Sequence, residues 1–289
     1  MKTSSRRSIL TALGGFGTLT LFGCGSGSTS ASGENQGTGS DDAGTGSTGS
    51  DGGISAGGFA VGSGSFLTGK DYGNPFQGGV GATCTAYKAS TKGPCHSNTY
   101  LRKDVTDGLI GLPTRFELMV VDTSCNPVEN AFVEIWYASP AGTYSKAAEA
   151  IDSGTGYGGS LADLNASFCT GNDATALASK WLRGFQISGA DGRVTIDGIF
   201  PGWYAGRTTH IHFIVTANGH TTATSQLFFD EALNTAVYTQ HGSYSARGNK
   251  DTTNARDNVA AGLTLSSVVM TVSQQSDGAL LASKAITIA

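Results

Sequence analysis

The chain has 289 residues, only 14% of them charged, and a formal net charge of -4; that balance argues against nucleic acid or an anionic membrane face as a partner. Much of its glycine (43 residues) lies before Gly81, and setting that region aside leaves about 210 residues, which fits one domain of the larger all-β kind with a sizeable core. No apolar run of about 18 or more residues occurs in that body, so nothing there reads as a bilayer span.

The N-terminus reads as an address. Ser5-Arg6-Arg7-Ser8-Ile9-Leu10 is similar to a twin-arginine export signal and precedes a short apolar run from Leu10 to Phe22. Leu21-Phe22-Gly23-Cys24 then resembles a bacterial lipobox, with Cys24 as the acylated residue. Residues 1–24 are therefore expected to be a signal, leaving an exported lipoprotein that faces the periplasm or the cell exterior. A simple cleaved signal is the alternative. Residues 25–79 are expected to form a linker: Gly25 to about Gly58 is too rich in Gly, Ser, Thr and Asp to offset its ordering entropy. Phe59, Phe66, Tyr72 and Phe76 either dock on the body or belong to that linker.

With Cys24 set aside, Cys84, Cys95, Cys125 and Cys169 form an even set in an exported chain, which favours two disulfides in one of three connectivities. The pairing carried forward is Cys84–Cys125 with Cys95–Cys169. A thiolate metal site is the rival, but these four contain no C-x-x-C spacing.

From residue 80 onward the pattern is that of short strands. Thr114 to Asp122 is a β-type run closed by Thr123-Ser124-Cys125-Asn126-Pro127, and Ala131 to Tyr137 alternates before Ser139-Pro140-Ala141-Gly142. Gly184 to Ser188, the turn Gly189-Ala190-Asp191-Gly192 and Arg193 to Ile196 read as a hairpin. His210 to Val215, Ser225 to Phe229, Ser267 to Val272 and Leu280 to Ile288 add four strands, with a short helix near Asp230 to Val237. The expected fold is all-β: a sandwich of two antiparallel sheets with long loops and little helix, spanning residues 80–289.

His210-Ile211-His212 carries the chemical signal, because residues i and i+2 of a strand project to the same face. Two histidines so placed are often structural, so their surroundings matter. Phe200-Pro201-Gly202-Trp203-Tyr204-Ala205-Gly206-Arg207-Thr208-Thr209-His210-Ile211-His212 resembles the iron-binding signature of intradiol ring-cleavage dioxygenases. Val133 to Ser145, with Trp136 and Gly142-Thr143-Tyr144, is similar to that family's upstream signature. Trp181 to Gln186, Asp191-Gly192-Arg193, Arg102 to Thr106 and Ala246 to Asn254 follow in the family's order, so the resemblance runs from about Cys84 to the C-terminus.

The resemblance implies a non-haem Fe(III) centre held by Tyr144, Tyr204, His210 and His212. The donor chemistry agrees, since phenolate is a hard anionic oxygen that suits Fe(III), whereas zinc sites favour Cys, His and carboxylate. It further implies that a catechol-type diol displaces Tyr204, which then takes a substrate proton. Arg207 would stabilise negative charge on the ring, and Gln226 would contact Arg207 or the oxygen site. O2 is the co-substrate, both of its atoms ending in a cis,cis-muconate-type diacid. Thr91-Lys92-Gly93-Pro94-Cys95-His96 stands where much of the family has Thr-Glu-Gly-Pro-Tyr-Tyr on the pocket wall, so the ring substituents do not follow from the resemblance. Trp136 is expected beneath the site, while His96, His220 and His241 are expected to be solvated loop residues. An oligomer is possible, and the sequence does not give the oligomeric state. A different class of reading is a non-catalytic exported sandwich that binds carbohydrate or a protein partner.

Overall fold

The computed structural model describes residues 52–81, 84–145 and 168–289. The expected signal with Cys24, and residues 25–51 of the expected linker, lie outside the described residues. Among the described residues ten strands run in chain order: β1 (Gly53–Ile54), β2 (Ala60–Val61), β3 (Pro113–Val121), β4 (Phe132–Trp136), β5 (Arg183–Ile187), β6 (Arg193–Ile199), β7 (His210–Ala217), β8 (His220–Phe228), β9 (Thr271–Gln274) and β10 (Leu280–Thr287).

Two four-stranded sheets form the sandwich, in the orders β6-β3-β10-β9 and β5-β4-β7-β8. Their inner faces share one core. Phe116, Leu118 and Val120 of β3 meet Val133 and Ile135 of β4 and Ile211, Phe213 and Val215 of β7. Alternation along each strand leaves the other set of side chains on the outer faces. On the second sheet that outer set is Glu134 and Trp136, His210 and His212, and Gln226.

Three expectations change. The turn at Gly189–Gly192 forms as expected, with Gly192 N–H donating to the Gly189 carbonyl at 2.8 Å. Its two strands do not pair: β5 belongs to one sheet and β6 to the other. The connection therefore turns the corner of the sandwich, because β6 finds its partner in β3 and β5 in β4. The first sheet is also mixed, since β10 runs parallel to β3. The strand expected from Ser267 begins only at Thr271, because Leu265–Val268 forms a helical turn. The expected helix near Asp230 is present over Glu231–Gln240, capped by the Asp230 carboxylate on the Ala232 and Leu233 N–H groups.

The described end of the expected linker is packed on the body. Phe59 sits in the main core, Leu67 and Ala60 pack on Ala279, and Gly62 exchanges both backbone hydrogen bonds with Gly111. The reason shows in β3, whose outer face carries the buried Arg115. Its guanidinium donates to the Leu67 carbonyl at 2.7 Å, the Lys70 carbonyl at 2.6 Å and Asp197 Oδ1 at 2.7 Å. Segment 64–70 thus covers a cation that solvent would otherwise have to cover, and Phe59 and Leu67 supply the apolar area that a Gly/Ser average conceals.

Both disulfides are formed, Cys84–Cys125 and Cys95–Cys169, spanning 41 and 74 residues. Closing loops of that length restricts the unfolded chain by about 4 kcal/mol each in the chain-entropy picture.

Candidate active site

The site grows on the outer face of β7. His210 and His212 point to the same side, and the register sets Trp136 of β4 and Gln226 of β8 directly beside His212. Trp136 stacks on the His212 ring at 4.9 Å with 8° between planes. A Cβ on Gly93 would come within 2.8 Å of His212 Cε1, so only glycine lets that loop lie against the imidazole.

The two tyrosines arrive on loops that interlock through glycine. A Cβ on Gly142, which has φ +79°, would collide with the Trp203 carbonyl, and one on Gly202 would collide with the Ser139 carbonyl. The loop bearing Tyr144 and the loop bearing Tyr204 therefore touch backbone to backbone, and the two rings lie 5.7 Å apart. Tyr144 is held further by its N–H donating to the Cys169 carbonyl at 2.7 Å. Beneath it, buried Arg183 donates to Ser145 Oγ at 2.9 Å and to the Ser145 carbonyl at 2.6 Å.

Four donor atoms converge. His210 Nε2 lies 3.2 Å from Tyr204 Oη, 3.4 Å from Tyr144 Oη and 3.2 Å from His212 Nε2, which is itself 3.1 Å from Tyr144 Oη. Such spacings suit neighbouring donors around one first-row ion at about 2.0–2.1 Å. His210 Nδ1 lies 2.6 Å from the Thr208 carbonyl, so its proton belongs there and Nε2 presents a lone pair.

Electrostatics point the same way. Burial, with the Arg207 cation near, pushes the His210 imidazole down to about 3. Burial followed by His210 and Arg207 holds His212 well below the usual value. Both rings are thus neutral near pH 7, with their Nε2 atoms facing each other. His212 Nδ1 is buried without a partner among the described residues. Burial, then Tyr204 beside it, keeps the Tyr144 phenol well above its ordinary value. A cation among these atoms reverses that logic, giving the lone pairs a partner and favouring phenolate. Two phenol oxygens and two imidazole nitrogens fit a hard trivalent metal.

Arg207 closes one side. Its Nε donates to Asp257 Oδ2 at 2.7 Å, Nη2 to Gln226 Oε1 at 2.5 Å, and Nη1 points to Tyr204 Oη at 3.4 Å. Burial works to lower its pKa, but Tyr204 and Asp257 outweigh it and the net shift is upward, so the cation is permanent. Tyr204 and Arg207 open on a cavity of about 410 Å³, whose walls include Gly93, Pro94, Phe168 and Val259.

The family model described as "Dioxygenase" matches residues 84–243, more than half of the chain. A solved intradiol ring-cleavage dioxygenase from Tetranychus urticae is similar at 25% identity and TM-score 0.59, with 71% of this chain and 95% of that one covered. The chain belongs to the intradiol ring-cleavage dioxygenases. A second dioxygenase crystal structure, 24% identical with TM-score 0.57 over 71% of this chain and 94% of that one, shares the fold. No curated protein matches the sequence. As an intradiol dioxygenase the chain is an enzyme, which sets aside the non-catalytic binding module.

Tyr144, Tyr204, His210, His212, Arg207 and Gln226, all singled out from the sequence, come together in one cluster. Among the other histidines, His220 is exposed at the start of β8 as expected. His241 is not solvated: it is fully buried, its Nε2 2.9 Å from the Ala60 carbonyl, and it caps the short helix Gly242–Ser245. His96 Nε2 pairs with Glu134 Oε1 at 2.7 Å, and its ring meets Trp136 edge-on. Asp257, Phe168 and the Asn258–Val259 wall escape sequence reasoning, because no spacing rule links them to β7. The only cue was an acid in a run of loop-forming residues.

Proposed function

We propose that this chain is a non-haem Fe(III) dioxygenase that cleaves a catechol-type ring between its two hydroxylated carbons, consuming O2 and yielding a cis,cis-muconate-type diacid. The observation that carries this reading is the convergence of two phenol oxygens and two imidazole nitrogens at 3.1–3.4 Å beside a fixed arginine. The family generally uses non-haem Fe(III) and takes catechol-type substrates with O2. A ferric ion held by Tyr144, Tyr204, His210 and His212 would supply the Lewis acidity that draws electron density from a catechol and makes its ring reactive toward O2.

The protein's own residues do the rest. Tyr144, His210 and His212 are buried and braced and would be the retained ligands, while Tyr204 borders the cavity and would be the one free to yield its place to substrate. Its freed Oη is the atom to accept a catechol proton. Arg207 Nη1, 3.4 Å from that oxygen, favours the anionic form of whatever occupies the position and of the activated ring. Pro94, Phe168 and Val259 supply apolar walls that limit water around the ring.

Protein purified without chelator should hold about one iron per chain and show a visible phenolate-to-iron charge-transfer band. It should consume oxygen with catechol, and Tyr144→Phe and Tyr204→Phe should each move the band. Protein that stays colourless and metal-free after anaerobic ferrous loading and air oxidation would count decisively against the reading.

We infer also that the enzyme is exported and anchored through an acylated Cys24. Support comes from Arg6-Arg7, Leu21-Phe22-Gly23-Cys24 and the four paired cysteines. In protein recovered from membranes, Cys84, Cys95, Cys125 and Cys169 should resist alkylation and the N-terminal peptide should carry lipid. Free thiols at those four positions, or an unmodified Cys24 in a soluble fraction, would refute it.

A further inference from the structure

We propose that Asp257 is a positioning residue for ring cleavage, setting the plane of Arg207 and tying it to the cavity wall. Asp257 is 0% exposed and both of its oxygens are used twice. Oδ2 accepts from Arg207 Nε at 2.7 Å and from the Thr208 N–H at 2.8 Å. Oδ1 accepts from the Val259 and Ala260 N–H groups, both at 2.9 Å. One buried carboxylate therefore fastens the arginine, the approach to β7 two residues before His210, and the wall formed by Asn258 and Val259.

A guanidinium is a planar fork, so its orientation needs more than one anchored edge. Gln226 anchors Nη2 alone, and about that single point the plane is free to swing. Adding the Nε bond to Asp257 leaves Nη1 one direction to face, which is toward Tyr204 and the cavity. Asp257 does not itself line the cavity; its bonds go to Arg207 and to backbone N–H groups, so it acts through Arg207. Displacing a charge stabiliser by about 1 Å costs on the order of 10²-fold in rate.

The proposal rests on the ring-cleavage reading of Arg207, and the test keeps the two apart. Asp257→Asn retains an oxygen for the Val259 and Ala260 amides but can turn an amide N–H toward Arg207 Nε. In the iron-loaded full chain it should keep iron content and the visible band, lose on the order of 10²-fold in kcat, and change KM far less. Asp257→Glu, which keeps the charge and moves it by one methylene, should be slow in the same way and guards against a folding failure. The deciding measurement is the double variant: if Asp257 acts through Arg207, Arg207→Ala with Asp257→Asn is no slower than Arg207→Ala alone. Wild-type kcat in Asp257→Asn, or losses that multiply in the double variant, overturns the proposal. A melting cycle on the metal-free proteins reads the pair without catalysis, and zero coupling there overturns it too. Failure of the ring-cleavage reading looks different: iron-loaded wild-type protein consumes no oxygen with any catechol.

Discussion

Arg207→Ala is expected to leave iron bound and the fold intact while turnover of a good catechol falls about 10²–10³-fold, or about 2.7–4 kcal/mol of lost charge stabilisation. Direction and size both follow from the site. The guanidinium hydrogen-bonds none of Tyr144, His210 and His212, so the proposed iron cage would stay intact, yet Nη1 lies 3.4 Å from Tyr204 Oη. Its removal leaves Asp257 buried without its cation, so some loss of melting temperature accompanies the kinetic effect. Iron analysis, melting and oxygen uptake on one preparation separate these contributions. An Arg207→Ala protein with wild-type turnover would make the arginine a bystander.

His212→Ala should fail in another way, losing iron, colour and activity together. His212 presents Nε2 to Tyr144 and His210 while packed on Trp136 and the Gly93 loop, and no other described histidine replaces it in that cluster. Deleting a buried ring also leaves a cavity costing on the order of 2 kcal/mol. The comparison with wild type is therefore made on protein whose melting transition is still cooperative. Full iron occupancy with an unchanged band in His212→Ala would remove this residue from the ligand set and with it the proposed cage.

The strands were legible because the strand period and the turn residues are local signals. Thr114–Val121, Phe132–Trp136 and His210–Val215 all formed where alternation or β-branched runs put them. Which strand pairs with which was not legible for Gly184–Ile199. A Gly-Ala-Asp-Gly turn specifies a reversal, and whether the two arms share a sheet is decided by distant β3 and β4. Composition also hid the fate of residues 59–70, where a few large side chains among glycines were enough for docking. The donor set was readable because the two histidines share one strand face and each tyrosine belongs to a motif. Asp257 was not, since its partnership with Arg207 joins positions 50 residues apart through loop geometry that no periodicity encodes.

The Cys95–Cys169 bridge gives the reaction a chemical habitat. Pro94 and Phe168 both line the cavity and each precedes one of its cysteines in the chain, and the carbonyl of Cys169 holds the Tyr144 amide. The main sandwich core lies on the far side of β7 and owes nothing to this bond. In a thiol-reducing cytoplasm the same polypeptide would thus bury its core while the segments bearing Pro94 and Phe168 lose their tie and the Tyr144 loop loses a brace. Such material would be folded by most spectroscopic criteria and still mis-gauged for its substrate. Producing the enzyme where sulfur is oxidised is consequently a condition for measuring its catechol preference.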